Sequence, residues 1–192
     1  MARPLLAVIT RALPSETLFE DRLSDLSLRD RAAVLDHLDL LMPGFDVVIA
    51  LPDAEKMARG LARMRGTPVV VAQPDGTASP ETEDEHPNAE SAELPDEEVN
   101  HWSLPTPDPL PEDIRTAVIL TRQLQDGLPE LLVALLAAKR GWTVRAVAAV
   151  VERTNFRGRT RLELQGMAVH AALQIADTPR GLELERRFPN PE

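Results

Sequence analysis

The chain has 192 residues, enough for one well-buried core and short for two. It contains no cysteine, which removes disulfides, thiolate metal sites and cysteine nucleophiles together and suits a reducing, cytoplasmic setting. The net charge of −10 arises in one place: residues 75–98 hold ten acids and no Lys or Arg, so the remainder is formally neutral and offers no general basic surface for nucleic acid.

In chain order, residues 5–9 form a short apolar run, too brief for a signal-peptide core or a membrane span, and are predicted to be a strand. Apolar positions at 32, 34, 35, 38, 41 and 42 predict an amphipathic helix over 28–42, stopped by Pro43-Gly44. A continuous apolar run at 46–51 predicts a buried strand. Residues 54–64 follow as a helix with Lys56, Arg59 and Arg63 on its wet side, and 69–72 as another strand. This strand–helix–strand unit favours parallel pairing with a right-handed crossover. From 73 to about 111 the periodicity disappears under Pro, Ser, Thr, Asn and acids, and Trp102 is the large anchor there. Residues 74–111 are predicted to be an acidic flexible loop or insertion within a single 1–192 domain, disordered over most of 75–98.

Regularity returns with a buried strand at 117–120, a loop over 121–127 and a strongly apolar helix over 128–140, where Pro129 is tolerable in the first turn. A β-branched strand over 143–151, a short helix over 158–165, a last strand over 167–176 and a polar tail from 178 complete the chain. The predicted class is α/β, a mainly parallel central sheet flanked by helices. Ligands in such sheets bind at the carboxyl ends of the strands, so the loops after Leu51 and Leu120 are the informative ones. The histidines at 37, 86, 101 and 170 lack metal-site spacing; His170 reads as a core or edge residue of the last strand, and no metal site is predicted. No serine elbow or Gly-x-x-x-x-Gly-Lys loop is present.

Residues 117–127 (AVILTRQLQDG), the apolar helix after them, and 141–153 (GWTVRAVAAVVER), with Gly158, Gly166 and 170–176 beyond, resemble the type I phosphoribosyltransferases. Within that family the resemblance points to the xanthine and related purine group. Residues 44–71 resemble its pyrophosphate-loop unit. The resemblance implies transfer of ribose 5-phosphate from phosphoribosyl pyrophosphate to a nitrogen base, with Mg²⁺ where the protein is active, in purine salvage, and a homodimer. It assigns Thr121, Arg122, Gln125, Asp126, Gly127 and Leu128 to the phosphate and ribose loop. Leu51, Pro52, Asp53 and Ala54 take the pyrophosphate-loop position, and Arg153 the base side.

The chemistry at these positions departs from the family plan. Thr121-Arg122 stands where two acids would hold ribose hydroxyls and the metal shell. Asp126 adds negative charge where phosphate belongs, and Pro129 and Pro52 have no N–H to donate. Three readings follow: a phosphoribosyltransferase-like protein with lost or altered catalysis that binds a nucleotide, a phosphorylated ribose or a protein partner through the acidic loop; an active purine-type enzyme; and a non-catalytic interaction subunit. Arg153 opens a cluster with Arg157, Arg159 and Arg161 that either grips a phosphate or purine oxygen, or forms a charged turn paired with acids.

Overall fold

A computed structural model of the chain describes residues 3–74, 91–92, 102–105, 110–111 and 113–185. Three helices open it: α1 (Arg3–Ala12), α2 (Glu16–Ser24) and α3 (Leu28–Leu41). Serines begin two of them. Ser15 Oγ accepts the Leu18 N–H, and Ser27 Oγ accepts the Asp30 N–H at 3.2 Å while donating to Asp30 Oδ2 at 2.6 Å, a reciprocal cap. Then come β1 (Val47–Ala50), α4 (Glu55–Arg65) and β2 (Val69–Val71). After the short strands β3 (Gln73–Pro74), β4 (Ser91–Ala92) and β5 (Trp102–Ser103) follow β6 (Thr116–Leu124), α5 (Leu128–Lys139), β7 (Thr143–Arg153), α6 (Gly158–Glu163), β8 (Ala168–Thr178) and β9 (Gly181–Leu184).

The main sheet has six strands in the order β2-β1-β6-β7-β8-β9, parallel throughout except for β9 against β8. Helices cover both faces, which is why the strands read as unbroken apolar runs. Val48, Ala50, Val118 and Leu120 face α1 to α4 through Leu5, Phe19, Leu38 and Leu61. The alternate residues Val47, Ile49, Ala117 and Ile119 face α5 through Leu132, Val133 and Leu136. The β1–β6 register is pinned at its start by Asp46, whose Oδ2 accepts the Arg115 N–H (3.0 Å), the Thr116 N–H (2.7 Å) and the Thr116 hydroxyl (2.8 Å). Those bonds, the Arg115 N–H foremost, hold the Asp46 carboxyl below its usual range.

Three expectations are corrected. Residues 5–9 lie in a helix: Leu5, Ile9 and Ala12 make one buried stripe at helical spacing against α2 and α3. β6 runs on through Leu124, because Thr121, Gln123 and Leu124 pair with Ala149, Val151 and Glu152 of β7, so only 125–127 is loop. The tail from 178 contains β9, a hairpin partner of β8 whose buried Leu182 alternates with exposed Glu183. Within 74–111, β3, β5 and β4 form a small antiparallel sheet of two-residue strands, too short to show periodicity. The expected disorder over 75–98 lies outside the described residues except at Ser91–Ala92. Among the described residues, no helix is long and apolar enough to cross a membrane.

Candidate functional site

β1 stops opposite Leu120, while β6 continues to Leu124 with β7 as its one neighbour. This step, at the carboxyl end of the sheet, opens a cleft of about 270 Å³. It is lined by Leu51, Pro52 and Asp53 after β1, by Thr121, Gln123, Gln125 and Asp126 of β6 and its loop, by Pro129 and Glu130 of α5, and by Trp102. The fold thus brings both sequence-assigned loops to one place. Leu51 N–H reaches Leu120 O at 3.0 Å, and Pro52–Ala54 is a 3₁₀ turn running straight into α4.

The turn before α5 is tightly built. Gly127 has φ 76, and a Cβ on it would lie 3.1 Å from Gly158 O, so glycine is required there on two counts. Gly158 packs as closely, its N–H donating to Gln125 O at 3.0 Å. The start of α6 therefore sets the height of the 125–127 loop. Leu128 of the assigned loop is exposed beside the turn.

The first turn of α5 would ordinarily present free N–H groups to an anion. Here Asp126 Oδ1 accepts the Leu128 N–H at 3.0 Å, Pro129 has none, and the Glu130 N–H favours its own carboxylate. Arg161 donates from Nη1 to the Asp126 carbonyl and stands 4.0 Å from its carboxylate. The start of α5 is thus engaged by the chain's own Asp126 and Arg161.

Charge in the cleft is acidic. Glu130 is 2% exposed, and burial pushes its carboxyl up to about 7; Thr121 opposes the shift, while the charges of Asp53 and Asp126 reinforce it. Burial also raises Asp53, against the pull of Arg122, whose Nε lies 3.7 Å from Asp53 Oδ2. That pair ties the 3₁₀ turn to β6. Gln123 Nε2 is buried with no hydrogen-bond partner. Sequence reasoning passed over Glu130 and Gln123. The available signal was a lone acid in the otherwise apolar first half of α5.

Mg²⁺ does not fit this donor set. Thr121 and Arg122 occupy the places of the two expected acids, Arg122 is a fixed cation, and no group of three metal-ligating side chains converges among the described residues.

Arg153, assigned to the base side, lies at the end of β7 with its side chain 3% exposed. Its guanidinium is taken up by Asp177 at the end of β8 and by Glu16 of α2, the latter at 3.1 Å, and stacks 5.5 Å from the Phe156 ring. Arg159 pairs with buried Glu152 at 2.5 Å and with Glu163 at 3.2 Å. These partners belong to the folded body. His170, half-buried on β8, is lowered by burial and then by Arg159, and faces a separate groove at the opposite end of the sheet.

No protein-family model matches the chain, and no curated protein matches it. Solved structures do. Adenine phosphoribosyltransferase from Rhodothermus marinus superposes with a TM-score of 0.62 at 17% identity, over 90% of this chain and 99% of that one. The Saccharomyces cerevisiae enzyme, solved with an imino-altritol bisphosphate and adenine, gives 0.63 at 14% identity, over 89% and 99%. That from Thermoanaerobacter pseudethanolicus gives 0.59 at 20% identity, over 76% and 81%. The chain has the type I phosphoribosyltransferase fold. The structures it matches here are adenine enzymes, whereas the sequence resemblance pointed to the xanthine group.

Proposed function

We propose that this chain is a phosphoribosyltransferase-like protein that no longer carries out the standard transfer and keeps the cleft as a binding site. The observation that carries this reading is the Asp126 carboxylate on the Leu128 N–H, with Pro129 next to it. A phosphate arriving there meets one carboxylate already in its seat and a second, Glu130, beneath it. Losing a single donor of an oxyanion site costs about 3 kcal/mol of transition-state stabilisation. In this chain the Leu128 donor is occupied, that of residue 129 is absent, and the acids expected at 121 and 122 are replaced.

Catalysis in the ordinary sense would need Asp126 to leave both the Leu128 N–H and Arg161, and would need a metal held without the acidic pair. Titration calorimetry with phosphoribosyl pyrophosphate, with and without Mg²⁺, together with a turnover assay over several purine and pyrimidine bases, tests the reading. The expected outcome is no turnover and no Mg²⁺-dependent binding of phosphoribosyl pyrophosphate. Turnover with any base defeats it.

A further inference from the structure

The polarity of the cleft is the reverse of a phosphate site, and its unmet groups describe a ligand. Asp53 has Arg122 at 3.7 Å, and Asp126 has the Leu128 N–H and Arg161. Glu130 has neither. It is 2% exposed, opens onto the cleft, and the charged groups acting on it are two further acids, Asp53 and Asp126. A buried carboxylate surrounded in this way is completed by a cation. Beside it, Gln123 Nε2 is a buried donor without an acceptor. Trp102, 8% exposed, supplies an aromatic wall, against which a flat cation is favoured over an anion.

Size and geometry narrow the class. The volume of about 270 Å³ falls just below the ordinary range for drug-sized ligands, about 300–1,000 Å³, so a single ring fits better than a nucleotide. A metal ion is disfavoured by the lack of three converging ligands among the described residues.

We infer that this cleft binds a small flat organic cation, an amidinium or protonated amino-heterocycle, with its N–H groups on Glu130, its face toward Trp102 and, in a heterocycle that carries one, an acceptor atom on Gln123. The inference rests on the reading that phosphate handling has been lost. It adds that the site has changed the sign of its ligand.

Titration calorimetry on the full chain at pH 8 with benzamidine as probe, and with benzoate and inorganic phosphate as anionic controls, tests it. Benzamidine is expected to bind, the two anions at least tenfold more weakly, and Glu130→Gln to lose at least tenfold in benzamidine affinity. Equal or tighter binding of benzoate or phosphate, or no benzamidine binding by the unaltered chain, overturns it. Because Glu130 is buried, a second measurement needs no substitution. At pH 7, in two buffers of different ionisation enthalpy, benzamidine binding should release protons as Glu130 is driven to its charged form; no release overturns the contact. The other groups facing Glu130 are Asp53 of the 3₁₀ turn, Thr121 of β6 and Asp126 of the loop, with Arg122 beside Asp53 and Arg161 beside Asp126. Turnover with phosphoribosyl pyrophosphate would defeat the earlier reading whatever benzamidine does. Absence of both turnover and benzamidine binding would remove the cation site alone.

Discussion

The Asp126 carboxylate and the Leu128 N–H, 3.0 Å apart, form an internal anion site at the start of α5. A carboxylate in the first turn of a helix is stabilised by the unpaired N–H groups and the dipole there. In this chain that stabilisation goes to a side chain two residues away.

Asp126→Asn keeps an oxygen that can accept the Leu128 N–H and removes the charge. The expected result is tighter binding of inorganic phosphate by about fivefold, the equivalent of roughly 1 kcal/mol, with a small loss of stability of about 0.5 kcal/mol. Calorimetry at low ionic strength reads the first, urea unfolding the second. Unchanged or weaker phosphate binding would mean that charge at this position is not what keeps anions out.

Glu130 makes stability fall as pH rises. Its folded value is raised from 4.5 to about 7, so between those values the folded chain binds more protons than the unfolded one. The favourable contribution is fully present below about 4.5 and is lost by about pH 7, a change of roughly 3 kcal/mol at about 1.4 kcal/mol per unit. Asp46 acts in the opposite sense, but below its ordinary value of 3.8, outside this window. Glu130→Gln should therefore be nearly neutral at pH 4.5 and stabilising by about 1–3 kcal/mol at pH 8. Urea midpoints at the two pH values check this, and a parallel pH dependence in the variant would locate the effect elsewhere.

Arg153 holds Glu16 and Asp177 together, joining α2 to the end of β8. Both carboxylates retain solvent contact, at 66% and 35% exposure, so neither is stranded when the arginine is removed. Arg153→Ala is expected to cost about 2 kcal/mol in unfolding free energy, from lost charge-assisted bonds and lost packing on Phe156, and to leave ligand binding in the cleft unchanged. A variant of normal stability with altered nucleotide affinity would return Arg153 to the base side.

A Cβ on Gly158 would collide with the Gln125 carbonyl oxygen and lie 3.0 Å from Asp126 C. Backbone atoms yield less readily than a flexible side chain, so Gly158→Ala should displace the 125–127 loop and destabilise by roughly 1–3 kcal/mol. Quenching of Trp102 fluorescence by acrylamide offers a local readout, because Trp102 lines the same cleft. An unaltered unfolding midpoint with unaltered quenching would contradict this role for α6.

The elements legible in the sequence are those whose burial is complete. Residues 47–50 and 116–120 are covered on both faces by helices, so their apolar runs are unbroken and could be placed without knowing the fold. The apolar spacing at 32, 34, 35 and 38 gave α3 in the same local way. Residues 5–9 were misread because five apolar residues suit a strand or a helix equally; the choice was made by Leu5 and Ile9 reaching one neighbouring surface, and period alone does not carry it. β9 is four residues long and exists through the edge of β8. Thr121 and Gln123 look like loop residues, and it is pairing with β7 that extends them.

For the site, the sequence by itself determined which groups stand in the two segments that line the cleft. Acids that are absent at 121 and 122, and amide protons that Pro52 and Pro129 do not have, cannot be supplied by any fold. The tertiary structure decided which of the remaining charges are engaged. Glu16 and Arg153, 137 residues apart along the chain, meet as a pair, while Glu130 opens onto a cleft among other acids. Charge on a side chain is a property of the residue, but its neutralisation depends on distance and burial, and both are set when separate strands and helices pack together.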